Sequence, residues 1–325
     1  MANDERAALH QRMRGTLQQR LSAAPPLVCV GLTAYDLTWE VETLPSGSGK
    51  SRAANFRQGG GGMAANAAAA VARLGGRVHF WGRAGDDAAG HAMADELRAL
   101  GVDVSGLRLF AGARSSVSGV VVDAQGERSI VNFRGAALPD DAAWLPLAVV
   151  AGAGAVLGDV RWPAGVAAAF ATARRAGVLT VLDGDVAEPA VFDALLPLCD
   201  YAVFSQPGLA GYAPGLGDDE ARLRHALARG CRVAAVTLGE RGVVWSDGPA
   251  LQRQPGFRVT AVDTTGAGDV FHGALALALA AGVDAAESFR FAAAVAALKC
   301  QQPGGRAGIP DLPQVLAALD QLKES

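Results

Sequence analysis

The chain has 325 residues with a formal net charge of −3, and half of its residues are hydrophobic. That length and apolar content supply the core of one large α/β domain with a small appendage and exclude a largely disordered chain. The small net charge, with no lysine-arginine run, excludes a nucleic-acid or anionic-membrane surface and points to a small-molecule partner. Cys29, Cys199, Cys231 and Cys300 lie far apart without a Cys-x-x-Cys pair, so they read as buried thiols of a reducing compartment. The longest apolar runs fall short of the ~20 residues of a membrane helix, and residues 1–20 lack the apolar stretch of a signal peptide. A cytoplasmic location is expected.

Residues 1–24 carry many charges among scattered Leu and Met and read as an N-terminal extension, helical or mobile, before one large domain over 25–325. Pro25 and Pro26 end it, and Leu27 to Leu32 reads as a buried first strand of a parallel sheet. Asp36 follows that strand's carboxyl end, where open α/β sheets hold ligands, and is a candidate acceptor for substrate hydroxyls or a plain loop Asp. Leu37 to Val41 and Lys50 to Phe56 alternate around a Pro-Ser-Gly-Ser-Gly turn and predict a half-exposed hairpin. Gly47-Ser48-Gly49-Lys50-Ser51 imitates a phosphate loop, but the required first glycine is Leu44, so Lys50 reads as a flap lysine or a solvated charge.

Gly59 to Gly62 opens an Ala-rich helix that ends near Leu74, with Asn66 one turn in, placed either to bond a ligand or to solvate its own helix end. Val78 to Trp81 and Ala88 to Leu100 continue the strand and helix alternation, which predicts a doubly wound, mostly parallel sheet. A hairpin signature over 115–134, with Asn132 near its end, breaks the rhythm. Paired with residues 37–58 it would form a small β-sheet lid, whose exposed face suits a homodimer contact.

From Ala155 the alternation resumes, and each strand end carries polar residues: Asp159 and Arg161, then Asp183 and Asp185, then Ser205 and Gln206. Arg161 suits bidentate recognition of an oxyanion, or else packs on Trp162 or pairs with Asp159. Cys231 to Leu238 is a further strand, followed by the glycine turn Gly239-Glu240-Arg241-Gly242. In Asp263-Thr264-Thr265-Gly266-Ala267-Gly268-Asp269 a glycine turn runs into a helix, which makes an oxyanion cradle with one carboxylate, Asp269, in the first turn. The alternative is an Asp- and Thr-capped helix. Helices over Asp284 to Cys300 and ending at Leu322 complete the chain.

Asp36, Gly61-Gly62 with Asn66, Thr237-Leu238-Gly239-Glu240-Arg241-Gly242 and Asp263 to Asp269 together resemble the ribokinase, or PfkB, family of carbohydrate kinases, from about Val28 to Pro310. The resemblance implies ATP-dependent phosphoryl transfer to a sugar hydroxyl on a ribokinase-like fold, with Asp269 as base and Gly266, Ala267 and Gly268 as anion hole. It also implies that Asp36, Gly61, Gly62 and Asn66 hold the sugar, and that Thr237, Gly239 and Gly242 lie along the nucleotide. The family's Asn-x-x-Glu is replaced by Ser205-Gln206-Pro207-Gly208, so Mg²⁺ contacts through water fall to Asp183 or Asp185. By the same resemblance a monovalent cation would sit near Asp263 and Thr265.

Within the family, Asp159 to Trp162, Val181 to Asp185, Gly268 to Leu275 and Ala297 to Pro310 are similar to the sulfofructose kinases of sulfoquinovose degradation. There, positions matching Lys50, Asn132 and Arg161 bind a sulfonate, so the expected reaction is phosphorylation of the 1-hydroxyl of 6-deoxy-6-sulfofructose. A sulfonate's three acceptor oxygens match two cations and an amide. The alternatives are a kinase of fructose, a 2-keto-3-deoxy sugar acid or a ketohexose phosphate, and a non-catalytic sugar-binding protein.

Overall fold

A computed structural model describes residues 15–125, 127–319 and 321, so the expectations for residues 1–14, Gly126 and Leu322 lie outside the described residues. Strand β1 (Leu27–Gly31) is buried throughout. It sits inside a nine-stranded sheet together with β4 (Val78–Gly85), β5 (Asp103–Phe110), β8 (Ala155–Asp159), β9 (Leu179–Gly184), β10 (Tyr201–Ser205), β11 (Val233–Thr237), β12 (Val243–Ser246) and β13 (Gln252–Gln254). The order is β13-β12-β11-β10-β9-β8-β1-β4-β5. Only β12 and β13 join antiparallel. Helices cover both faces, which is why the central strands are continuous apolar runs.

Alternate residues of each strand feed the two cores. Cys29, Phe80 and Leu157 pack with α2 (Met63–Arg73), α8 (Ala267–Ala280), α9 (Ala285–Cys300) and α10 (Leu312–Ala318). Val28, Trp81 and Val156 pack with α4 (Pro163–Ala176), α5 (Pro189–Leu195), α6 (Gln206–Tyr212) and α7 (Asp219–Ala228). Helix α3 (Ala88–Ala99) connects β4 to β5, and residues 15–23 form the N-terminal helix α1. Every residue of α2 from Ala64 to Val71 is buried. Its small side chains let α8 come so close that a β-carbon at Gly273 would collide with the Ala67 carbonyl.

The chain runs outward from β1 through β4 to β5, then crosses back to β8 on the other side of β1. The resulting switch point between β1 and β8 is where such a sheet opens a crevice at its carboxyl ends. A second sheet stands over it: β3 (Asn55–Gly61), β2 (Ala34–Glu40), β6 (Val117–Val122) and β7 (Arg128–Phe133), in that order. The pairs β2/β3 and β6/β7 are antiparallel hairpin partners, joined through the parallel pair β2/β6. This is the predicted lid, with one correction. Its second strand is Asn55–Gly61, not Lys50 to Phe56, and the glycines taken for the start of a helix form its end.

Candidate active site

The close α2–α8 crossing sets one side chain of each helix against the other. Asp269, in the first turn of α8, accepts a hydrogen bond at Oδ2 from Asn66 Nδ2 at 2.7 Å. Asn66 is orientated from behind, because its Oδ1 accepts from Arg306 Nε at 2.8 Å. Arg306 is itself buried, donates Nη2 to the Gly61 carbonyl at 2.8 Å and pairs with Glu96 at 3.4 Å. Burial first, and the nearby Asp183 charge second, push the Asp269 carboxyl up to about 8, against the Asn66 hydrogen bond that favours its ionised form. A half-buried carboxylate raised toward neutral pH and gripped by one amide has the make-up of a general base. The Asp269–Asn66–Arg306–Glu96 chain was not legible beforehand, since it joins positions more than 200 residues apart.

Gly266 caps α8 with φ 74°, a left-handed conformation that glycine adopts without strain. Ala267 N–H donates to the Thr264 carbonyl at 3.2 Å. Of the three amides expected to form an anion hole, that of Ala267 is thus engaged within the turn, at a helix N-terminus that favours negative charge. His272, one turn on, sets Nδ1 2.6 Å from the Gly268 carbonyl and Nε2 3.1 Å from that of Val203, pinning this turn to β10.

The turn before the cradle is held by Asp263. Its carboxylate accepts from Thr265 N at 2.8 Å and from Gly304 N at 2.9 Å. Burial opposes ionisation there, but these amides, the Thr265 hydroxyl and the Lys299 charge hold the carboxyl down at about 2. Two protein cations lie beside Asp263 and Thr265, where a monovalent cation is expected. Lys299 Nζ donates to the Asp263 carbonyl at 2.7 Å, and Arg128 of the lid donates to the Thr265 and Thr264 hydroxyls at 3.0 and 2.9 Å.

At the switch point, Asp159 is fully buried and accepts backbone N–H groups from Leu32 at 2.7 Å, Ala64 at 3.0 Å and Arg161 at 2.8 Å. It thereby caps α2 from across the sheet, a task its own N-cap, Gly62, has no side chain to do. Asp183 is also buried, its Oδ2 has no hydrogen-bond partner, and burial with the charges of Asp159 and Asp185 raises its carboxyl well above the usual range. Asp185 accepts from Arg161 Nη2 at 2.7 Å and from the Ser205 hydroxyl at 3.0 Å, while Arg161 Nη1 donates to the Val186 carbonyl at 2.6 Å. Arg161 thus pairs with Asp185, and not with Asp159 or Trp162 as its alternatives had it. The missing glutamate at Gly208 has a steric reason, since a β-carbon there would collide with the Gly184 carbonyl.

On the lid, Asp36, Ser118 and Asn132 are cross-strand neighbours in one row. Asn132 donates to the Ser118 hydroxyl at 3.1 Å, and Ser118 bonds Asp36, whose carboxyl is raised by burial against that bond and the Arg306 charge. Two strand spacings of ~4.8 Å put Asp36 and Asn132 roughly 10 Å apart. A side chain at Gly61 would collide with Asp36, and one at Gly60 with Arg306. The glycine run therefore makes room for the protein's own charged groups. Lys50 is exposed on the 41–54 connection, so the structure does not gather it with Asn132 and Arg161 into one preformed cluster. Thr237 ends β11 and donates to the Phe204 carbonyl at 3.3 Å, and Gly239 and Gly242 close a tight turn through Leu238 N–H to the Gly242 carbonyl at 2.7 Å.

Comparison with known proteins places this geometry among sugar kinases. The profile of the pfkB family carbohydrate kinases matches residues 25–312. Ribokinase of Arabidopsis thaliana is 32% identical over 310 residues, covering 91% of this chain and 81% of the relative. A structure of A. thaliana ribokinase complexed with ribose and ATP superposes with a TM-score of 0.80 at 29% identity, covering 91% of this chain and 99% of that one. A protein of Agrobacterium tumefaciens provisionally named a ribokinase superposes at 0.88 with 37% identity, over 92% and 98% of the two chains. A fructokinase of Xylella fastidiosa with bound ATP superposes at 0.77 with 27% identity, over 91% and 98%. Among the described residues no helix is long and apolar enough to cross a membrane.

Proposed function

The chain belongs to the pfkB family of carbohydrate kinases, and from that premise we propose that it transfers the γ-phosphoryl group of ATP to the 1-hydroxyl of 6-deoxy-6-sulfofructose. The observation that carries the transfer chemistry is the half-buried Asp269 carboxylate in the first turn of α8, beside the Gly266 and Gly268 amides. Asp269 takes the hydroxyl proton as the oxygen attacks phosphorus, while the amides meet the charge on the transferred group. Asp36, Gly61, Gly62 and Asn66 hold the sugar hydroxyls, and Thr237, Gly239 and Gly242 lie along the nucleotide.

Among the described residues no cluster of three or more His, Cys, Asp or Glu is arranged to hold a metal ion. The donor set fits an ion that arrives on the nucleotide and keeps most of its waters, with Asp183, whose Oδ2 lacks a partner, or Asp185 facing it through water. Mg²⁺, when bound, supplies charge neutralisation on the phosphate oxygens. The partner that suits the exposed lid face is a second copy of the chain.

Support for an anionic sugar comes from Asn132, which extends the Asp36 row, from Arg161 just past the end of β8, and from Lys50 on the exposed connection between β2 and β3. A neutral pentose or ketohexose is the second reading. It is favoured by the bonds of Arg161 to Asp185 and Val186, which a sulfonate would have to displace. Turnover with ATP across sulfofructose, fructose, ribose, a 2-keto-3-deoxy sugar acid and fructose 6-phosphate separates the two. The expected kcat/KM for sulfofructose exceeds that for fructose by about 10²-fold or more, because a site built for a polar group rejects the analogue lacking it. Equal or better turnover of fructose or ribose would sink the sulfonate reading and leave the kinase intact.

A further inference from the structure

Lys299 lies in the last turn of α9, wholly buried, where the other buried residues of the helix are Ser288, Phe289, Phe291, Ala292, Ala294 and Val295. An ammonium there is costly unless its donors are met, and a structural helix would be better served by Leu or Met. Its Nζ reaches the Asp263 carbonyl at 2.7 Å and lies 3.7 Å from Asp263 Oδ1. The same short segment is gripped from α9 by a second route, since the Cys300 carbonyl accepts from Val262 N at 2.7 Å and Asp263 N at 3.1 Å. Asp263 in turn fixes Thr265 N and Gly304 N through its carboxylate. Everything that sets the entry of the chain into Gly266 therefore converges on Asp263, and the positive charge at its centre is covalently part of the protein.

We infer that the Lys299 ammonium is the resident cation of the cradle turn: it takes the carbonyl and carboxylate oxygens of Asp263 that a bound monovalent ion would need, so phosphoryl transfer proceeds without K⁺ or Na⁺. An ammonium and a K⁺ ion present the same charge to the same oxygens, but the tethered one needs no occupancy from solution and is placed by the folding of α9. Arg128 strengthens the arrangement by occupying the Thr264 and Thr265 hydroxyls from the other side. Lys299 is a positioning residue, since it acts on the phosphoryl group through the 263–266 turn. The inference rests on the kinase reading of that turn, and not on which sugar is used.

The test compares the full chain with Lys299→Met in KCl, NaCl and tetramethylammonium chloride at equal ionic strength. Thermal unfolding is measured without substrate, and ATP turnover with the best sugar of the panel. The parent is expected to give the same midpoint in all three salts and turnover within about twofold. Lys299→Met is expected to lose roughly 10²-fold in kcat in tetramethylammonium, as for a misplaced catalytic turn. It should regain part of this in KCl, with a midpoint raised by about 2 °C or more as K⁺ binds the vacated oxygens. A parent activated about tenfold by K⁺ or specifically stabilised by it overturns the inference, as does a Met variant at full turnover in tetramethylammonium. If the variant fails to fold, the parent arm decides alone. A parent with a salt-insensitive midpoint but no turnover on any sugar would sink the kinase reading without touching the cation claim.

Discussion

Asp269 is the proposed base, and its environment sets the sign of the pH dependence expected of it. Its carboxyl is raised to about 8, so in the free protein it is mostly protonated at neutral pH and gains its base form as pH rises. The acid limb of kcat/KM is therefore expected to rise toward about pH 8. Asn66→Ala removes a hydrogen bond to the ionised form and moves the limb to higher pH, whereas Asp183→Asn removes a like charge and moves it lower. Limbs that stay in place in both variants would remove Asp269 as the titrating base. Arg306 supports the same carboxylate from one residue further back. Arg306→Leu leaves Asn66 Oδ1 and Glu96 without their cation, and the expected loss of stability in urea unfolding is about 3 kcal/mol. A change below about 0.5 kcal/mol would mean water or repacking replaces the guanidinium. Asp269 was legible in the sequence because a glycine turn entering a helix constrains its neighbours locally. Arg306 was not, because its partners Asn66 and Gly61 come from the far end of the chain.

Helix α2 shows how an element's composition becomes a catalytic distance. Its alanines and Gly273 of α8 allow the two helices to touch backbone to side chain, and Asn66 reaches Asp269 as a consequence. Gly273→Val should force the helices apart and separate that pair, lowering kcat by about 10²-fold with a nearly unchanged KM for ATP. An unaltered kcat would show that the crossing has slack. Helix periodicity and caps are readable in the sequence: α3 begins at Ala88 as expected and ends at Ala99, one residue before the expected Leu100. Strand β3 was misplaced because Gly59 to Gly61 look like a helix entrance, and only the presence of Asp36 and Arg306 above them explains glycines in a strand. Strand β5 was missed for a related reason, since Gly106 breaks its pattern to make room for the Trp81 ring.

At the scale of the molecule, the doubly wound sheet and the lid followed from alternation and turn chemistry, while the way the lid meets the sheet did not, because register between distant hairpins leaves no local trace. The lid's inner row of Asp36, Ser118 and Asn132 leaves Leu37, Trp39, Val131 and Phe133 on its outer face by strand alternation. Val131 is 76% exposed there, and Trp39 packs on Phe56, itself half exposed, at 5.4 Å between ring centres. A proposed homodimer would cover this face. Val131→Lys is then expected to convert dimer to monomer in light scattering coupled to gel filtration, and a parent that runs as a monomer at all concentrations would exclude the dimer.

Arg128 gives the lid a further property. Its guanidinium holds the hydroxyls of both Thr264 and Thr265, at the threshold of the phosphoryl cradle. A swing of β7 away from the crevice must release both bonds together, so the position of the lid and the order of the 264–265 turn share one latch.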